Sequence, residues 1–520
     1  MENDTHGTTP TSPQAEAGET MKAQDLDVQD FCLDFELENS PVLNQNIAGG
    51  EGADVHARGS IALGLDVTRN GAAVETTPQT SLRCTSCAHG VAIAIAIAIT
   101  ESQASGLREL VFGERSKTFN DAWREQAFYF CGKEGLAYGL VQRCGGPCGV
   151  VAAVQAFLLE DLLFRRHAES DWRKAKRWKR ERSLASALTT IIWRAGDGIS
   201  AFLAISDGEP TVQRSSRYRP DGVTERLKLY RALSWNAMEA LVYENFHHFT
   251  ARKGHGVILL VYSCLLSRGI HLVRDDMDNS FGEPGSLIDR HGYASQELVN
   301  LLLLGRAHSN VFDGQRVIDG EGDRAKKPAH DKGFSENNER VVLTGVPTRG
   351  RVGFLTLFEA YKYVEVGNNF KTPEAPVWVV CSESHYSVLF STDKSLISSP
   401  SRLAKRGTTK GDTDEVCAGA EPCGNLGGEN TLESARKGGH ANDREGSCSG
   451  MAPQAFDLEY YDGLARQDEV IRLTVHWTNR PTPLTAEDSE NGALVPPLDL
   501  VVRTRWPGAT VDWNGTEPLL

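Results

Sequence analysis

No apolar run in this sequence is long enough to read as a membrane span. The nearest candidate, VAIAIAIAI at 91–99, has nine residues, about half of the roughly 20 that a helix needs to cross a bilayer. Its strict Ala/Ile alternation suits a strand with an Ala face and an Ile face, and an unpaired strand of that kind invites aggregation. The opening MENDTHGTTP lacks a basic segment followed by an apolar one, so a secretory leader is not expected. Paired cysteines are scarce too. Eleven cysteines stand singly apart from Cys84 and Cys87, which argues against a disulfide framework and for reduced thiols in a cytoplasmic or nuclear protein. Cys84, Cys87 and His89 have metal-like spacing, but a structural zinc site takes four ligands and no second CxxC follows. The acidic cluster of Asp275, Asp276 and Asp278 lacks the spacing and the glycine of a calcium loop. Basic residues are in deficit, 55 Lys and Arg against 69 Asp and Glu for a net charge of -14, so nucleic acid is not expected as the bulk partner. GxxxxGK[ST], HExxH and GxSxG are all absent, which removes the commonest nucleotide, metalloprotease and serine-hydrolase patterns.

What is present is a soluble composition, 40% hydrophobic and 24% charged with 50 glycines and a mean hydropathy of -0.34. Residues 1–106 are rich in Thr, Ser, Gly, Asp and Glu without a sustained period, and are expected to be a disordered extension. Dense apolar patterning then runs over 107–520, interrupted by polar stretches at about 313–340 and 393–455 that read as surface insertions in one domain. GPCGVVAAVQAFLLEDLLF predicts a helix from about Cys148, with Val151, Val154, Leu158 and Leu162 at spacings of three and four. Helices are also expected over 183–195, 224–248 and 294–304, while 256–266 leaves helix and strand open. Strand chemistry follows at 377–380 (VWVV), 385–391 (HYSVLFS), 458–461 and 470–476. A helical first half feeding an antiparallel sheet is an α+β arrangement. The stretch RRHAESDWRKAKRWKRER at 165–182, nine basic against three acidic residues, reads as a solvated helix face.

A nucleophilic cysteine works as its thiolate, which a helix N-terminus and a neighbouring histidine both favour. Cys148 meets the first condition, and the small residues of the preceding Gly145-Gly146-Pro147 turn let a substrate backbone approach the sulfur. Gln142, six residues upstream, offers an amide donor to a developing oxyanion. The same local pattern also describes a helix-initiating turn with a small buried thiol, and the residues alone leave both readings open. Among fourteen histidines, His385 is the candidate base, because VWVVCSESHYSVLF places it at the start of a strand after a short polar turn. His291 (DRHGYASQE) and His308 (GRAHSNVF) read as loop histidines. Asp462, in LEYYDGLA, could orient the imidazole from the end of the next strand or could cap a turn.

Five blocks in order, GLVQRCGGPCGVVAAVQAFLL, GYASQELVNLLLLGRAHSNVFDG, VGFLTLFEAYKYVEVGNNFKTPEAPVWVVCSESHYSVLFS, YYDGLARQDEVIRLTV and RTRWPGATVDWNGTEPLL, closely resemble the MINDY deubiquitinases, in particular their branch with a GGPCG nucleophile motif. The resemblance covers about 107–520 outside the insertions. It implies a papain-like cysteine protease fold that hydrolyses isopeptide bonds in polyubiquitin, with a family preference for lysine-48-linked chains. It assigns the nucleophile to Cys148, the base to His385 and the oxyanion glutamine to Gln142; Asp462 as orienting residue comes from its position alone. Ubiquitin and polyubiquitin are the implied partners, and no metal or organic cofactor is implied. Cys144, four residues before Cys148, is a second thiol beside the nucleophile. A chain that holds polyubiquitin without cutting it is the rival expectation.

Overall fold

The computed structural model describes residues 96–518, apart from short breaks at 166–167, 169, 216–217, 253, 279–284 and 465–466 and longer stretches at 319–340, 398–453 and 478–494. Most of the expected N-terminal extension, including Cys84, Cys87 and His89, lies outside the described residues, as does most of both insertions. Within them the chain starts with strand β1 (Ala96–Ala98) and helix α1 (Glu101–Phe112). Thr100 accepts from Gln103 N and Gln103 accepts from Thr100 N, a reciprocal cap that satisfies two donors at the helix start. Helix α1 buries Ala104, Leu107, Leu110 and Val111. Residues 96–106 therefore belong to the fold, although the change in sequence texture points to Leu107. A three-residue strand and one capped turn are too short to register in composition.

The helices that follow are α2 (Asp121–Arg124), α3 (Cys148–Phe164), α4 (Arg177–Ala195), α5 (Trp235–Glu244), α6 (Phe246–Thr250), α7 (Gly256–Arg268), α8 (Ile270–Asp276) and α9 (Gln296–Leu304). Every residue of α3 from Cys148 to Leu162 is buried, the pattern of a helix enclosed on all sides. It packs on α4, on α9 and on the main sheet. The run whose period leaves its state open is helix α7, also buried over most of its length. The helix expected over 224–248 is instead a strand followed by a helix. Strand β3 (Leu227–Ala232) pairs on one side with β1 and on the other with β2 (Ala201–Ser206), both antiparallel, and Ser234 then caps α5 by accepting from Ala237 N. LKLY, the first four residues of the strand, alternates buried with more exposed residues, a period of two too short to stand out beside the adjoining helix pattern. The Ala/Ile alternation thus ends in a paired strand, with Ile97 opposite Leu229.

A two-stranded antiparallel ladder, β4 (Gln315–Ile318) with β5 (Val341–Thr344), flanks residues 319–340, so the first polar stretch contributes a strand to the fold. The main sheet has six strands in chain order: β6 (Gly353–Thr356), β7 (Val377–Ser382), β8 (His385–Phe390), β9 (Gln454–Tyr461), β10 (Ile471–Trp477) and β11 (Thr510–Asp512). Strand β9 begins inside the second polar stretch. Short helices α10 (Leu357–Ala360) and α11 (Asn368–Lys371) connect β6 to β7, and α12 (Pro497–Arg505) precedes β11. All neighbours are antiparallel except β6 and β7, so the architecture is α+β with one parallel edge pair. Val377, Val379 and Cys381 face the core that holds α3, whereas Trp378 and Val380 face the core that holds α12. Burial on both faces explains why VWVVC is continuously apolar.

Helix α3, which carries Cys148 at its start, is tied to the sheet side at its far end. Glu160, fully buried on α3, accepts two bonds from Arg351 at 3.1 and 2.6 Å and one from Arg165 at 2.6 Å. Arg165 belongs to the basic stretch read as a solvated face. That reading holds for part of the stretch, where Lys174, Arg177 and Trp178 are exposed, and fails for the rest: Trp172 is buried, Arg173 pairs with Glu459, and Arg180 donates to Ala137 O. Removing Glu160 leaves Arg351 without its carboxylate and Arg165 with Glu374 alone, at 3.2 Å. Because the Arg351 and Arg165 side chains keep 25% and 42% exposure, Glu160→Ala is expected to cost about 2–3 kcal/mol, below the ~3–5 kcal/mol of a fully enclosed broken pair. Urea unfolding measures this, with Arg165→Ala costing under about 1 kcal/mol as the comparison.

Candidate active site

Helix α3 starts on Pro147, which makes no side-chain cap, so the sulfur of Cys148 sits at a helix N-terminus whose first N–H groups carry the positive end of the dipole. The turn before it depends on glycine. Gly146 has φ +115, and a Cβ there would lie 3.0 Å from Gly292 O and 3.1 Å from Trp123 Nε1. Trp123 Nε1 in turn donates to Gly292 O at 2.7 Å, and Ala294 N donates to Gly146 O at 3.3 Å. The turn at 289–294 is itself organised by Asp289 Oδ1, which accepts from His291 N and Tyr293 N. On the helix, a Cβ at Gly149 would meet Val299 Cγ2 at 2.9 Å, Ala294 Cβ at 3.1 Å and Tyr386 Cδ2 at 3.5 Å. Absence of a side chain there lets α3 close on both α9 and β8.

Strands β7 and β8 are joined by a two-residue turn, with Ser382 opposite His385 in register. Glu383 takes a left-handed φ of 54, the conformation that tight hairpins require and non-glycine residues rarely adopt. This turn brings Ser384 O within 3.6 Å of Cys148 Sγ, which also lies 3.9 Å from Gly146 O. His385 opens β8. Its Nε2 is 2.8 Å from Asp462 Oδ2, and its ring lies close enough to the Cys148 side chain to interact with it. With Nε2 engaged by Asp462, Nδ1 is the nitrogen left to face the thiol. Burial pulls the imidazole pKa down, but the hydrogen bond to Asp462, the interaction with Cys148 and the Asp462 charge outweigh it and raise the pKa to about 10.

Asp462 leaves the end of β9 and does two things at once. Oδ2 lies 2.8 Å from His385 Nε2 while Oδ1 accepts from Leu464 N at 2.8 Å, so one carboxylate contacts the imidazole and caps the turn. Its own N–H donates to Gln467 Oε1, and Gln467 Nε2 donates to Tyr460 O and Glu469 O. Gln142 lies against the same loop: its N–H donates to Gly463 O at 2.9 Å, and its buried side-chain amide donates to Cys144 O at 2.6 Å. Upstream, Leu140 N donates to Gln155 Oε1 on α3. Cys148, His385, Asp462 and Gln142, spread over 320 positions, are thus drawn into one hydrogen-bonded neighbourhood. Residues 108–405 and 442–515 match the conserved domain described as "Deubiquitinating enzyme MINDY-3/4".

The chain belongs to the MINDY-3/4 family.

The "Probable ubiquitin carboxyl-terminal hydrolase MINDY-4" of Mus musculus is 37% identical over 422 residues, 81% of this chain and 47% of the relative. Its Bos taurus counterpart is 38% identical over 421 residues, 81% and 46%. The "Ubiquitin carboxyl-terminal hydrolase MINDY-3" of Homo sapiens is 34% identical over 333 residues, 58% of this chain and 68% of the relative. The chain spans about half the length of the MINDY-4 relatives it matches. No solved structure matches the chain.

Among the described residues, neither rival histidine has a ring contact with a carboxylate like that of His385 with Asp462. His291 lies in the 289–294 turn with its Nε2 2.9 Å from Arg290 Nε. His308, after α9, is buried, and burial lowers its pKa. Of the other thiols, Cys381 is buried in the sheet and its pKa is pushed up to about 12, chiefly by burial. Three contributors escape sequence reading: the 289–294 turn, the Ser384 carbonyl and the left-handed Glu383. Asp289 followed by Gly292 is a turn signal, but nothing in it says which segment the turn supports.

Raising the His385 pKa above its unfolded value near 6.5 makes its contribution to stability full below that pH and lost as pH rises through about 10. Replacing Asp462 by Asn is expected to bring the His385 titration down toward 6.5, read by NMR. The gap in unfolding free energy between wild type and Asp462→Asn should be widest below pH 6.5 and shrink as pH approaches 10.

Proposed function

We propose that this chain is a thiol-dependent deubiquitinase with a papain-like site that hydrolyses isopeptide bonds in polyubiquitin, lysine-48-linked chains foremost. The observation that carries the reading is the cluster itself: a buried cysteine at the N-terminus of an enclosed helix, 3.6 Å from the carbonyl of the residue before a histidine whose Nε2 is held by a carboxylate. Family membership and the hydrolase names of the relatives support ubiquitin as the substrate. The fold supports the papain-like comparison, since a helix bearing the thiol packs on an antiparallel sheet bearing the imidazole. Reduced, scattered thiols support a cytoplasmic or nuclear setting.

In this mechanism His385 holds the proton as an imidazolium and the Cys148 thiolate attacks the carbonyl carbon of ubiquitin's C-terminal glycine. The oxyanion that forms faces the start of α3. A side-chain amide has two N–H bonds; Cys144 O takes one from Gln142, and the other serves the oxyanion. His385 then protonates the departing lysine amine, leaving a thioester on Cys148 and a neutral imidazole. That imidazole takes a proton from water as the water attacks the thioester, releasing the ubiquitin carboxylate and restoring the ion pair. Asp462 keeps the ring oriented through both steps.

Purified chain incubated with diubiquitins of defined linkage, and with ubiquitin carrying a C-terminal electrophile, tests the proposal. Cleavage fastest for the lysine-48 linkage and a covalent adduct are expected from wild type, with neither from Cys148→Ala. Gln142→Ala is expected to lower kcat about 10²–10³-fold. Intact chain binding with no cleavage and no adduct would replace the hydrolase by a protein that only holds ubiquitin chains.

A further inference from the structure

A cavity of about 410 Å³ lies apart from the thiol, and none of Cys148, His385, Asp462 or Gln142 lines it. Three segments meet there. Tyr129 and Phe130 come from the first, Arg177, Arg180 and Glu181 from α4, and Phe246 and Arg252 from α6 and the residues after it. The volume falls within the ~300–1,000 Å³ of small-molecule sites.

Charge in this cavity is one-sided. Three arginines face a single carboxylate, Glu181, and that group is already paired with Arg177 Nε at 2.8 Å. Among the described residues no carboxylate lies within ion-pair distance of Arg180 or Arg252, in a chain whose net charge is -14. Arg180 donates to Ala137 O, but its Nε is buried without an acceptor among the described residues, and a buried donor left unmet is costly. Burial and the Arg177 charge both pull the Arg180 pKa down, the direction expected of a cation that lacks a counter-ion.

The guanidiniums are also held in place. Arg180 lies over the Phe130 ring at 5.1 Å and Arg252 over the Tyr129 ring at 5.6 Å, so each planar head rests on an aromatic face. The segment that carries those rings is fixed by backbone bonds: Phe128 N to Phe249 O at 2.9 Å, Cys131 N to Gly139 O at 2.7 Å and Val141 N to Tyr129 O at 3.0 Å. Donors set in advance lose little freedom when a ligand arrives. Guanidinium N–H pairs match phosphate oxygens, and the dianion of a phosphomonoester offsets three arginines less one glutamate. Aromatic walls, with more room than a phosphate group fills, suit a ring attached to it.

We propose that this cavity is a second ligand site that takes an aromatic phosphomonoester, its phosphate between Arg180 and Arg252 and its ring against Tyr129 and Phe246. The assignment is independent of the deubiquitinase reading.

Isothermal titration of the full chain with phenyl phosphate, and with benzoate as the carboxylate counterpart, tests the site. Phenyl phosphate is expected to bind at least about tenfold more tightly than benzoate, because the dianion engages both arginines. Arg252→Glu should raise the phenyl phosphate Kd about tenfold or more. Arg252 makes no ion pair among the described residues, so an unchanged urea midpoint is expected and separates lost binding from lost folding. Arg472→Glu, the same charge reversal at an exposed arginine elsewhere, should leave the Kd within about twofold. Phosphotyrosine and adenosine monophosphate, titrated side by side, distinguish a modified protein chain from a free nucleotide as the source of the group. Absence of saturable phenyl phosphate binding would overturn the site, as would equal loss in Arg472→Glu and Arg252→Glu. Benzoate binding as tightly as phenyl phosphate would overturn the phosphate assignment.

Discussion

Everything at this site depends on how closely helix α3 can approach the sheet. A methyl group at Gly149 would fall 2.9 Å from Val299 and 3.1 Å from Ala294, distances at which a neighbour must move. Without it, the helix start sits against the β7–β8 turn and the sulfur meets the Ser384 carbonyl and the His385 ring. The far end of the helix is fixed by Glu160 and its two arginines. A helix held at both ends by different kinds of force, apolar packing at one and buried charge at the other, keeps Cys148 in register with a histidine that arrives from another layer.

Asp462 turns that proximity into a chemical arrangement. By anchoring Nε2 it decides which nitrogen faces the sulfur, and its charge keeps the ring protonated well above the range of an ordinary histidine. The carboxylate is itself placed by Leu464, by Gln467 and by a backbone bond between Gly463 and Gln142. The strand end that carries the acid and the loop that carries the amide are therefore positioned by one another.

The elements with a strong period or a punctuated boundary were readable without coordinates. The Gly-Gly-Pro turn announces α3, and VWVV followed by a polar turn announces β7 and β8, so Cys148 and His385 could be singled out from local pattern. Strand β3 could not, because six residues of period two sit directly against a capped helix and the combined stretch mimics a longer one. Helix α1 begins before the composition changes, since a capping pair leaves no mark on hydrophobicity. The support that Trp123 and the 289–294 turn lend to Gly146, and the bond between Gly463 and Gln142, join residues far apart in sequence. Such contacts are set by packing, and no local spacing encodes them. The same limit applies to the arginine-lined cavity, whose walls come from three separate segments.

The central claim is that Cys148, rather than either neighbouring thiol, is the atom that ubiquitin's C-terminus meets. Peptide mapping by mass spectrometry of the adduct formed with a C-terminal electrophilic ubiquitin tests it most directly. The whole of the modification is expected on Cys148. Modification of Cys144 or Cys381 with Cys148 left unmodified would contradict it.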